Sequence, residues 1–110
     1  MPDLDVTDIL TEVYEELDNG RRKHGVQHEL PSFGEGPRGS KRWTLAGDSL
    51  EEFSRRYLDE DPSWAAILGE EVGEALQERD PVKLRAELVQ VAAMAVGWIS
   101  KLDNEDSEAK

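Results

Sequence analysis

Apolar residues recur along this chain at the spacing of helix faces. Trp64, Ile67, Leu68, Val72, Ala75 and Leu76 follow an i, i+3, i+4 rhythm, and Leu84, Leu88, Val91, Ala95 and Ile99 mark a second stripe. Near the N-terminus Val6, Ile9, Leu10, Val13, Tyr14 and Leu17 repeat at near-heptad spacing. No segment alternates with period two over a convincing strand length, and there is no internal repeat. The expected fold is therefore all-α, a helical bundle of about four helices.

Local punctuation suggests where those helices begin and end. Asp5 is placed to cap the first, and Asn19-Gly20 to stop it. Residues Gly25 to Gly47 hold Pro31, Gly34, Gly36, Pro37 and Gly39, and read as a long loop. A capping box, Ser49-Leu-Glu-Glu52, opens a short helix through Leu58 with Leu50, Phe53 and Tyr57 inward. Asp61-Pro62 and Asp80-Pro81 each place proline at a first helical position and start the two remaining helices. One domain over residues 1–102 is expected, followed by a polar tail, 103–110, that frays.

The last helix is apolar almost all round, from Val89 through Ile99. A helix of that kind has to be covered on every side. Four helices hardly do so, and the small residues Ala92, Ala93 and Gly97 permit close approach. The expectation is a homodimer, or a higher homo-oligomer, whose second subunit completes the bundle; the alternative is a monomer with the long loop lying over this helix.

Carboxylates set into these stripes change the picture. Glu71 falls within the apolar pattern of the third helix, Glu74 lies one turn on along the same flank, and Glu87 and Gln90 edge the stripe of the fourth. An ionised carboxylate that packing removes from water shifts its pKa, pairs with a base or binds a metal. If the two helices form an antiparallel hairpin, three carboxylates and one amide oxygen converge. Hard oxygen donors of this kind suit Mg2+ or Mn2+, and no histidine or cysteine lies near to favour zinc. The spacing alone equally fits glutamates that face solvent, because ExxE is common in helices.

The stretch from Trp64 to Ile99 resembles MazG-like proteins, members of the all-α nucleoside triphosphate pyrophosphohydrolases. Their pattern is EExxE, a short connection, then ExxD; here stand Glu70, Glu71 and Glu74, then Glu87 and Gln90. Arg21 to Gln27 is a weaker echo of a basic segment in small MazG-like proteins. The resemblance implies hydrolysis of the α–β phosphoanhydride of a nucleoside triphosphate, releasing monophosphate and pyrophosphate, and points to a homodimer as well. It implies magnesium on Glu71, Glu74 and Glu87, with Glu70 an accessory carboxylate for a second metal or for a water. Gln90 departs from the pattern, standing where the family has aspartate, and brings an oxygen without charge. Two outcomes follow: an enzyme with weaker metal binding, or a non-catalytic helical binding or regulatory protein with a degenerate site.

Composition narrows the partners. A formal net charge of −12 argues against nonspecific nucleic-acid or membrane binding, and disfavours a triphosphate unless it arrives complexed to a cation. The absence of cysteine excludes disulfides and fits a cytoplasmic protein. The first residues lack a secretory pattern, and the longest apolar run is too short to span a bilayer. Lys23 and Gln27 are candidate contacts to phosphate and base, although a basic helix end complementing its dipole has the same pattern. Trp43, in the Gly-rich segment, is a candidate lid aromatic, whereas Trp64 and Trp98 sit at core spacing. Lys41, Arg42, Arg55 and Arg56 are all available to neutralise phosphate, and nothing in the sequence chooses among them. His24 and His28 are too few to hold zinc, and neither a nucleophilic triad nor a Walker-type loop is present.

Overall fold

A computed structural model describes the backbone of residues 2–24, 31–34 and 36–109, and side chains over 6–20, 22, 31–34 and 38–105. Among these residues the chain is all-α: α1 (Pro2–His24), α2 (Gly36–Glu60), α3 (Trp64–Gln77) and α4 (Pro81–Ala109), with no strand. No helix in the described part is long and apolar enough to cross a membrane.

Several helix boundaries differ from those expected, each for a local reason. Asn19-Gly20 does not stop α1, which runs on to His24. One glycine inside a helix costs only about 1 kcal/mol, and an Asp18–Arg22 ion pair of 2.8 Å spans it. The expected loop is mostly helix, since α2 already begins at Gly36 and Ser49 lies inside it. Its glycines serve packing: a Cβ on Gly39 would sit 2.5 Å from the Phe33 carbonyl oxygen. Gly34, at φ +83°, is the one described glycine that uses a left-handed backbone. The part of the expected loop from 25 to 30 lies outside the described residues.

α3 is capped by Ser63, whose hydroxyl accepts the Ala66 N–H at 3.1 Å, rather than by Asp61. α4 begins as anticipated. Asp80 Oδ1 accepts the N–H groups of Val82 at 2.9 Å and Lys83 at 3.3 Å, and Pro81 takes the first helical position. The polar tail does not leave the helix before Ala109, and Lys101 pairs with Glu105 one turn on.

The molecule divides into two compact units. One joins α1 to the part of α4 from Val96 onward; the other runs Pro31–Ala95. In the first, Ile9 is buried and, with Glu12, Val13, Glu16 and Ile99, lines a cavity of about 330 Å³. The rest of the α1 stripe stays exposed, with Leu10, Val13, Tyr14 and Leu17 each close to half accessible or more.

In the second unit α2 and α3 pack through small residues. A Cβ on Gly73 would lie 2.7 Å from the Glu51 nitrogen and 2.8 Å from the Gly47 carbonyl oxygen. One added to Gly69 would collide with the Ser54 hydroxyl. Backbones that approach this closely leave no room for a side chain on either glycine. The inward face of α2 is thus Gly47, Leu50, Glu51 and Ser54. Phe53 and Tyr57, expected inward, are substantially exposed and meet each other in a tilted ring contact, centroids 4.8 Å apart. They border an apolar cavity of about 350 Å³ that also touches Leu50, Ala66 and Gly69.

Arg79, in the turn between α3 and α4, ties that turn to α2. Its guanidinium donates to the Ser40 hydroxyl and carbonyl at 2.7 and 2.6 Å, to Thr44 Oγ1 at 2.5 Å and to the Leu76 carbonyl at 2.8 Å. It also stacks 3.7 Å above the Phe33 ring.

Candidate metal centre

The α3–α4 hairpin brings together the acidic residues that the spacing singled out. Glu71 and Glu74 come from consecutive turns of α3 and Glu87 from the second turn of α4. Each offers a carboxylate oxygen within 4.8 Å of the others, and all three residues are half-buried. The turn between the helices is only Glu78 to Asp80, so their first and last turns face one another.

Three like charges this close cannot all ionise freely. Glu74 is pushed up to about 7, first by removal from water and then by Glu71 and Glu87; a hydrogen bond with Glu87 and the charge of Glu51 add to this. Glu71 is raised in the same direction, by burial first and then by Glu87 and Glu70. Near neutral pH Glu74 is therefore protonated part of the time, and in that form it donates to Glu87. A site that takes up a proton to relieve its own repulsion is one where a divalent cation relieves more of it. The donor set, all carboxylate oxygens, fits Mg2+ or Mn2+.

The remaining expected residues are placed as follows. Glu70 stands beside the triplet, with Oε2 3.7 Å from Arg55 Nε. Gln90 lies one turn beyond Glu87 on α4 and is exposed. Trp43 belongs to α2 rather than a loop, two turns before Glu51; it is nearly half exposed and takes no part in the carboxylate cluster. The Lys23 side chain and Gln27 lie outside the described residues.

Sequence reasoning overlooked α2 as a contributor. Glu51, largely shielded, accepts from Gln77 Nε2 at 3.1 Å and pairs with Arg55 Nη2 at 3.0 Å, and its charge is felt at Glu74. Gln77 also donates to the Gly73 carbonyl at 3.0 Å. A cue was present in the Glu51–Arg55 i, i+4 pair and in small residues four apart, Gly69 and Gly73. No protein-family model, curated protein or solved structure matches this chain.

Proposed function

We propose that this protein is a metal-dependent nucleoside triphosphate pyrophosphohydrolase, releasing a monophosphate and pyrophosphate. The observation that carries this reading is the meeting of Glu71, Glu74 and Glu87 from two helices, with oxygens within 4.8 Å of one another. The resemblance of residues 64–99 to MazG-like proteins points to the same chemistry.

In this reading Glu71, Glu74 and Glu87 would hold Mg2+ or Mn2+, with the Gln90 carbonyl as a neutral fourth donor. A bound ion would offset charge on the triphosphate and polarise the anhydride. Glu70, beside the triplet but outside it, orients a water and takes its proton as the water attacks the α-phosphorus. The bond to the β-phosphate oxygen breaks, and pyrophosphate leaves with that electron pair. Lys23, Gln27 and Trp43 are assigned to the phosphate and base of the substrate. The same reading includes a homodimer, supported by Leu88 and Val89 of α4, which stay more than half exposed within one chain.

The test is product analysis with ribo- and deoxyribonucleoside triphosphates and Mg2+ or Mn2+. Wild type should yield monophosphate and pyrophosphate, and Glu71→Ala or Glu74→Ala should abolish turnover while helicity is kept. Turnover unchanged in both variants would sink the assignment. No product from wild type with any triphosphate would favour the rival reading, a non-catalytic binding protein disarmed at Gln90.

A further inference from the structure

We propose that Arg55 is the phosphate anchor of this site, binding the pyrophosphoryl end of the metal-complexed nucleotide. The inference rests on the pyrophosphohydrolase reading and names which cation of the chain serves it. Several other cations are engaged elsewhere. Arg79 spends its donors on Ser40, Thr44 and Leu76. Arg22 is paired with Asp18, and Lys101 with Glu105. Arg56, next to Arg55 in sequence, lies with Ser49, Glu52 and Phe53 around a separate cavity.

Arg55 alone among these lies across two helices at the edge of the carboxylate cluster. It sits 3.0 Å from Glu51 of α2 and 3.7 Å from Glu70 of α3. The two contacts differ in kind: the first is an ion pair at hydrogen-bond distance, and the second is longer than that. Nη1 takes part in neither. The Arg55 side chain is 59% exposed, against 18% for Glu51 and 23% for Glu70. Its Nε and Nη2, one edge of the guanidinium, thus rest on shielded carboxylates, while Nη1 enters neither contact on a side chain that is mostly exposed. The other edge, Nη1 with the second N–H of Nη2, suits two oxygens of one phosphate or of adjacent phosphates, a match an ammonium cannot reproduce.

Charge balance gives the reason. Glu51, Glu70, Glu71, Glu74 and Glu87 crowd this edge of a chain whose net charge is −12. A divalent cation cancels part of what a triphosphate brings, and a guanidinium at the rim counters repulsion from the rest. Glu51 is itself held by Gln77, so Arg55 is aimed before substrate arrives.

The experiment measures Mn2+ binding by paramagnetic titration, then binding of inorganic pyrophosphate to the Mn2+-loaded protein by calorimetry. It compares wild type, Arg55→Gln and Arg55→Lys. We expect Mn2+ affinity within about twofold across all three, pyrophosphate binding weakened tenfold or more in Arg55→Gln, and partial recovery in Arg55→Lys. Equal pyrophosphate affinity in wild type and Arg55→Gln overturns the proposal. So does a joint loss of Mn2+ affinity and melting temperature in Arg55→Gln, which would make Arg55 a clamp between α2 and α3. A wild type that takes up no Mn2+ fails at the earlier step and overturns the pyrophosphohydrolase reading, and this inference with it.

Discussion

α3 and α4 are both rich in apolar and small residues, yet they are treated differently within one chain. α3 buries Ala66, Gly73 and Ala75 and is only half accessible along most of its length. α4 keeps Leu88 and Val89 more than half exposed, with Ala92 and Ala93 open as well. The difference lies in the partner. α3 meets a helix whose own small residues let the backbones approach closely, which buries the face turned to α2. Over Leu88 to Ala93 the outward residues of α4 stay exposed among the described residues. Small residues alone do not bury a helix; matched small residues on two helices do.

The largest effect expected from this contrast is at Gly73. Gly73→Val places atoms against Gly47 and Glu51 and should cost about 3 kcal/mol of stability, whereas Ala92→Val on α4 should stay within about 0.5 kcal/mol. Denaturant melts of the two variants measure it, and equal midpoints would show that the α2–α3 approach is not tight.

Next is the pH response of the carboxylates that α3 and α4 share. Glu74 has its folded pKa raised from 4.5 to about 7, so the folded chain binds more protons than the unfolded chain between those values. Stability without metal should therefore fall as pH rises from about 4.5 to 7 and then level off. Metal must displace that proton, so Mn2+ affinity should rise by up to tenfold per pH unit below 7 and flatten above it. Calorimetry at pH 5.5, 6.5 and 8 reads this directly; a flat profile would mean the triplet holds no shared proton.

The smallest effect on the fold is expected on the exposed face of α4. Leu88→Glu should change unfolding free energy by under about 0.5 kcal/mol within one chain, yet convert a dimer to a monomer in sedimentation equilibrium. A monomeric wild type would remove the homodimer from the reading and leave α4 to be covered by something else.

The all-α class and the start of α4 were legible because both depend on local patterns: periodic apolar residues, and a capping aspartate before proline. The meeting of Glu71, Glu74 and Glu87 was legible for the same reason, since a short turn between two amphipathic helices leaves few ways to pair them. What escaped was governed by contact between distant residues. Gly36 to Gly47 reads as a breaker cluster by propensity, but its glycines fit under Phe33 and against Gly73, and tertiary packing outweighs their helix cost. Phe53 and Tyr57 look inward by size, and Gly47 and Ser54 took their place because close backbones exclude large side chains. Glu51 and Arg55 were hidden because their roles depend on α3 lying beside α2.

The three-residue turn between α3 and α4 contributes no donor to the centre, yet it acts as the centre's register. Asp80 fixes where α4 starts winding, and Arg79 fastens the turn to α2. Each residue of an α-helix advances the side-chain direction by about 100°. One added within the first turn of α4 would swing Glu87 away from Glu74 with every carboxylate still present. The count of residues between the two acidic motifs is thus as much a determinant of chemistry as the glutamates themselves.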